Sequence, residues 1–254
     1  MLAGALQQYR EDEVNGVLQV AVTNAGPTPL VIERLEVDWP GFAEPPAAAP
    51  AYRLGPGLTA DLPVPLAAAD CSAAANPQEQ GPTTPAVALV QVAGGGVVRL
   101  PLPESDALER IFTTDCRRQD TAAQVGLAFG PEWVRGGVGS DAVLSGTLDV
   151  TRRNAVGEVG VVSVDGSVLL GLALAGAPGP GGALLPAGQA ATRLPVEVRS
   201  TLRCDGHSLG ESKKTFVFDV VVDVGDGEGR PYALTPDAAA RALMQTLIED
   251  ACGL

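Results

Sequence analysis

Apolar residues recur at every second position along much of the chain. In "VLQVAVTN", Leu18, Val20 and Val22 alternate with Gln19, Ala21 and Thr23, a period that puts one face of an extended strand in a core and the other in water. "LVIERLEV" continues with Val31, Glu33, Leu35 and Val37 against Ile32, Arg34 and Glu36, and the intervening "NAGPTP" carries turn residues, so the two segments predict an antiparallel pair. "KTFVFDVVVDV" predicts another strand, with Phe216, Phe218, Val220 and Val222 on one face and Val217, Asp219, Val221 and Asp223 on the other. The prolines of "LPVPL" and "RLPLP" cannot donate ladder hydrogen bonds, which assigns those segments to sheet edges or bulges. Short strands between regular turn signals specify an all-β sandwich.

Helical spacing is confined to short segments. Ala239, Leu243, Leu247 and Ala251 lie four apart and predict an apolar stripe, with Thr235 as N-cap, Pro236 at the first helical position and Asp237 in the first turn. Ser105 is the expected cap of a shorter helix that ends at Cys116.

Three blocks recur in one order. "GVLQVAVTNAG" parallels "GTLDVTRRNAVG" with Gly16, Leu18, Val20, Asn24 and Ala25 on Gly146, Leu148, Val150, Asn154 and Ala155, an offset of 130. "LGPGLTADLPVPLAAADC" parallels "LPAGQAATRLPVEVRSTLRC" at an offset of 132 for Leu62-Pro63-Val64. "VQVAGGGVVRLPLPESDALERIFTTDC" parallels "VVDVGDGEGRPYALTPDAAARALMQTLIEDAC", each read as strand, Gly-rich turn, strand and a helix finishing at a cysteine. A duplicated unit of this size predicts two domains, residues 1–120 and 121–254. The polar opening of "RRQDTAAQVGLAF" is read as a flexible connector, and "AQVGLAF" as the first strand of the second domain.

Composition fits a folded, turn-rich chain: 46% apolar, 19% charged, 31 glycines and 21 prolines. The net charge of -13 is spread over both halves, with 7 basic and 15 acidic residues up to Asp120 and 10 and 15 after it. Without clustered Lys and Arg, a nucleic-acid partner is excluded as an expectation. The longest apolar stretch, "SVLLGLALAGA" (Ser167–Ala177), is too short for a membrane span, and the first residues show no signal peptide; an anchor or signal ahead of Met1 is the remaining route to a membrane.

"VLQVAVTNAGPTPLVIERLEV", a strand running into Thr-Asn-x-Gly and then a second strand, resembles the opening hairpin of bacterial cell-surface immunoglobulin-like domains of the CARDB-like kind. Over residues 17–37 the resemblance implies two tandem immunoglobulin-like sandwiches of an extracytoplasmic adhesion, spacer or docking protein. The second copy keeps Asn154 but has Val156 where the glycine would stand, and the cysteine-bearing helix is not part of the family pattern.

Four cysteines allow three complete pairings, and the repeat selects Cys71 with Cys116 and Cys204 with Cys252, one pair per copy, tethering each terminal helix. Structural disulfides imply an oxidising compartment: periplasm, cell surface or secretion. Metal chemistry is not expected, since no Cys-x-x-Cys occurs and His207 is the only histidine. His207, beside Asp205 and Ser208, is read as a turn residue, and Ser145 in "LSGTL" lacks Gly-x-Ser-x-Gly spacing; no catalytic residue and no cofactor are expected. Asp223, Asp226 and Glu228 of "DVGDGEGR" are the one candidate calcium turn, although the matching "QVAGGGVVR" has no acids. Trp39, Phe129 and Trp133 are candidates for interdomain or partner contact, with Trp133 the stronger for the junction.

The expected function is a non-enzymatic binding, docking or spacer module of the bacterial envelope, whose partner is another envelope protein or cell-surface component. The alternative is a small-ligand or carbohydrate-binding protein using sandwich-end loops or the interdomain cleft.

Overall fold

In the computed structural model, which describes residues 1–254 apart from 10, 11, 14, 78, 104, 105 and 176–183, the alternating segments of the first half become antiparallel strands. These are β1 (Leu2–Leu6), β2 (Val17–Asn24), β3 (Leu30–Asp38), β4 (Ala47–Ala48), β5 (Tyr52–Leu54), β6 (Thr59–Pro65), β7 (Ala86–Val92) and β8 (Val97–Leu102), followed by helix α1 (Asp106–Gln124). One sheet runs β1-β2-β6; the other runs β4-β3-β7-β8 with β5 also on β3. Residues of β2 and β6 share one core with residues of β3, β7 and β8, as in a β-sandwich. Leu18, Val20 and Val22 are fully buried and share a core with Ile32, Leu35 and Val37. Burial of that order stabilises by about 1.5–3 kcal/mol per large aliphatic side chain.

The second half comprises β9 (Val125–Phe129), β10 (Val134–Gly136), β11 (Val143–Arg152), β12 (Val159–Asp165), β13 (Leu170–Leu174), β14 (Leu184–Leu185), β15 (Ala191–Ser200), α2 (Gly206–Glu211), β16 (Phe218–Asp223), β17 (Gly229–Leu234) and α3 (Ala238–Cys252). One sheet runs β10-β11-β15-β13 with β9 also on β11, and the other β14-β12-β16-β17. The chain divides into compact units Met1–Arg117 and Arg118–Leu254, the division falling within α1.

Strand register sets β2 against β11 two residues away from the match read in the sequence. Leu18 pairs with Val64 and Val20 with Leu62, whereas Gly146 pairs with Val196 and Leu148 with Leu194. Holding Leu62-Pro63-Val64 on Leu194-Pro195-Val196 therefore brings Asn24 onto Arg152, not Asn154. The backbone agrees: the Asn24 N–H donates to Leu58 O at 2.9 Å and the Arg152 N–H to Ala190 O at 2.8 Å. The glycines that suggested the other alignment serve different ends. Gly16 takes φ +64° in open space, while a Cβ on Gly146 would lie 2.6 Å from Cε3 of Trp133.

Asn24 explains the Thr-Asn-x-Gly stretch. Its side-chain oxygen accepts from the Gly26 N–H at 3.0 Å, and its Nδ2 donates to Thr28 O at 2.9 Å and Leu54 O at 3.3 Å. One buried amide thus ties the turn after β2 to β5. Arg152 does the same in the second unit with a larger group. Its guanidinium donates to Ala155 O and Gly157 O in the turn after β11, and to Leu185 O, Pro186 O and Gln189 O on the far side. Asn154 instead donates to Ala123 O at the end of α1.

Other expectations change for local reasons. "RLPVEVRS" is not an edge segment: β15 lies between β11 and β13. Pro195 is tolerated because β13 pairs only with residues 196–200 and ends beside it, where Ala175 N–H donates to Pro195 O. β6 and β8, with Pro63, Pro65 and Pro101, are edges. The first part of "KTFVFDVVVDV" is a turn closed by Val217 N–H to Lys214 O, and the strand begins at Phe218.

The helices also differ. α1 does not stop at Cys116 but continues to Gln124 and runs directly into β9, replacing the expected flexible connector. Its last carbonyls find donors, which lets it extend: Ala122 O accepts from Arg153 Nη1, Ala123 O from Asn154 Nδ2, and Gln124 O from the N–H groups of residues 153–155. The expected cap Ser105 lies outside the described residues. In α3 the cap is Asp237, whose carboxylate accepts from the Ala240 N–H at 2.8 Å, rather than Thr235. The buried stripe is Ala240, Met244, Leu247 and Ile248, while Leu243 is exposed; a spacing of four alone does not fix the helix's rotation.

Candidate functional site

Cys71 bonds to Cys116 and Cys204 to Cys252, with Cα–Cα separations of 5.6 and 5.4 Å. In each unit the bridge joins the segment after β6 or β15 to the helix that follows the unit's last strand. Cys116 sits on α1 at 1% exposure in the first core, with Leu108 and Phe112 of the same helix. The neighbouring Asp115 carboxylate accepts from the Ala69 N–H at 2.9 Å, a second tie between helix and loop. Cys252 is the last residue of α3, whose Met244, Leu247 and Ile248 enter the second core.

The aromatic candidates pack within their own units. Trp39 is 4% exposed in the first core. Its ring meets Phe42 and Phe112 edge-on at 5.2 and 5.7 Å, and its Nε1 donates to Thr84 O at 3.0 Å. Gly41 lies directly against it, where a Cβ would come within 2.1 Å of Cζ3. As a core residue Trp39 offers no face to a partner. Phe129 lies 5.5 Å from both Trp133 and Phe218 and packs with Trp133 on the second core. Trp133 covers Gly146, and its buried Nε1 has no acceptor among the described residues.

The acidic turn Asp223–Arg230 closes the β16–β17 hairpin. Asp223 Oδ1 accepts from Gly225 and Gly227 N–H at 2.8 and 3.1 Å, and the glycines adopt φ +102° and +81°. Asp226 accepts from the Glu228 N–H and pairs with Arg230, which also reaches Asp120 at 3.1 Å. The Asp223 and Asp226 carboxylates are thereby spent on turn amides and a guanidinium, and among the described residues no three His, Cys, Asp or Glu side chains gather as metal ligands.

His207 is an exposed residue in the first turn of α2. Asp205 caps that helix, accepting from the Ser208 N–H at 2.8 Å. The Ser208 backbone bond holds the Asp205 carboxyl below its ordinary range. Asp70, next to Cys71, is lowered likewise by the Ser72 hydroxyl and N–H. Ser145 lies within β11, opposite Glu197 and Val134, in the middle of a sheet. Sequence reasoning passed over Arg152; the signal was a basic residue at the end of a strand preceding a turn, visible only once the register is known.

These features define a mainly β protein of two disulfide-clamped sandwiches. No family model matches the chain, and no curated protein matches it. Among solved structures it is similar to the CsuC–CsuE chaperone–tip adhesion subunit pre-assembly complex from Csu pili of Acinetobacter baumannii (8% identity, 87% of this chain, 92% of that one, TM-score 0.21). It is also similar to the B domain of a biofilm-associated protein (8% identity, 92% and 84%, TM-score 0.22) and to the exo-chitosanase CsxA of Amycolatopsis orientalis (12% identity, 89% and 26%, TM-score 0.22). Likeness at this level identifies neither a family nor a function.

Proposed function

We propose that the chain is a non-enzymatic module of the bacterial cell envelope, working outside the cytoplasm as two duplicated immunoglobulin-like sandwiches that dock or space other surface components. The pair of cystines carries this reading: both join the same two topological positions, and structural disulfides persist in oxidising compartments while cytosolic thiols are kept reduced. The duplication is supported by corresponding strand pairings, β2 with β6 as β11 with β15 and β3-β7-β8 as β12-β16-β17, and by the matched backbone bonds of Asn24 and Arg152. A charge of -13 favours a protein or cell-surface partner over a nucleic acid. No helix of the described residues is long and apolar enough to cross a membrane.

Fractionation of native cells, with alkylation before any reduction, tests the reading. The expected result is a protein in the extracytoplasmic fraction with no alkylated cysteine, cross-linking in intact cells to envelope proteins. A cytoplasmic protein with four alkylated cysteines overturns it. A reproducible rise in melting temperature with calcium or a glycan would favour ligand binding instead.

A further inference from the structure

The two cystines differ in what surrounds them. Cys116 is 1% exposed in the first core, and its bridge to Cys71 is backed by the bond from Ala69 N–H to Asp115. Cys204 lies in the run Thr201–Asp205, which belongs to no strand or helix and is exposed throughout, with Leu202 at φ +60°. Its partner Cys252 is half-buried at the end of α3, where Gly253 closes the helix in the left-handed conformation. α3 is held independently of the bridge by Met244, Leu247 and Ile248, each at 2% exposure or less. Opening Cys204–Cys252 therefore frees a surface segment without unseating the helix.

We propose that Cys204 is a site of S-thiolation, at which a low-molecular-weight thiol exchanges into the second cystine while the first stays closed. The thiolate sulfur attacks Cys204 Sγ. The S–S bond breaks, its electron pair leaves on Cys252 Sγ, and that sulfur takes a proton from water. The incoming sulfur is oxidised to the disulfide level as Cys252 is reduced to the thiol, so no further oxidant or reductant is required. Access selects Cys204 over Cys252 as the sulfur attacked.

Native protein is incubated with reduced glutathione at mildly alkaline pH, quenched with N-ethylmaleimide and mapped by peptide mass spectrometry. Glutathione is expected on Cys204 and maleimide on Cys252, accumulating at least about tenfold faster than any opening of Cys71–Cys116, because exchange rates follow access to the sulfur. Equal rates for the two bridges, an adduct on Cys252 instead, or no adduct until denaturant is added would overturn the proposal. The double variant Cys204→Ser/Cys252→Ser, checked for folding by circular dichroism, should take up no glutathione, and uptake at the wild-type rate would equally refute it. If that variant does not fold, the wild-type map decides the matter alone.

Discussion

Replacing Arg152 with alanine removes donors from five carbonyls at once. Ala155 and Leu185 are 6% and 1% exposed, so water reaches their carbonyls poorly, whereas Pro186 and Gln189 are exposed and rehydrate. At about 1.5 kcal/mol for each buried carbonyl left without a donor, the two buried groups put the loss near 3 kcal/mol for the second unit. With a urea slope of about 1.5 kcal/mol per molar, its midpoint falls by about 2 M. The two tryptophans separate the units: a Trp39→Phe background leaves Trp133 to report the second, and Trp133→Phe leaves Trp39 to report the first. Arg152→Ala should move the Trp133 transition and leave the Trp39 transition in place. Arg152→Lys should recover about 1 kcal/mol, since a point charge cannot replace a fork that reaches both sides of the knot. A Trp133 shift under about 0.5 M, taken with the same slope, or an equal shift of both signals, would refute the structural equivalence of Arg152 and Asn24.

Further expectations concern packing, bridges and acid. Gly146→Ala drives a Cβ into the Trp133 ring and should cost the second unit about 2 kcal/mol by overpacking, with a red shift in Trp133 fluorescence; an unshifted spectrum and midpoint would show the ring has room. Cys71→Ser/Cys116→Ser opens a loop of 45 residues and should lower the first unit's stability by about 4 kcal/mol in the chain-entropy account, read as a lower calorimetric melting temperature; an unchanged value contradicts it. The Asp205 carboxyl is lowered in the folded state, so its contribution is present above the ordinary carboxylate range and is lost as pH falls through the lowered value. Asp205→Asn keeps a cap without a titration and should flatten the acid side of the second unit's unfolding curve; an acid limb unchanged from wild type would show that the cap does not contribute.

Much of this architecture was legible in residue order because alternation, turn residues and cysteine position report on one element at a time. Leu18, Val20 and Val22 announce a buried face wherever the strand is placed, and two matched runs, each with a cysteine after Leu-Pro-Val and another on the following helix, leave one sensible pairing. Register is different. Gly16 and Gly146 look equivalent as letters, yet one serves a positive φ and the other a tryptophan ring, so the match slid by two residues and concealed Arg152. The extent of α1 was hidden for a similar reason: its last carbonyls are satisfied by Arg153, Asn154 and Ala155, distant partners that no local propensity reveals. Trp39 was ambiguous because a tryptophan near a proline and a glycine fits both a surface anchor and a core plug, and only Gly41 beneath the ring distinguishes them.

The edge prolines also bear on how such a chain is made. Two antiparallel β units on one polypeptide invite each to borrow a strand from the other before either has closed, a common misfolding route for tandem domains. Pro63 and Pro65 on β6, Pro101 on β8 and Pro231 on β17 leave outer strands that are poor templates for a visiting neighbour. Those outer strands are thus less able to pair in the wrong company, which would let the first half finish folding while the second is still leaving the ribosome.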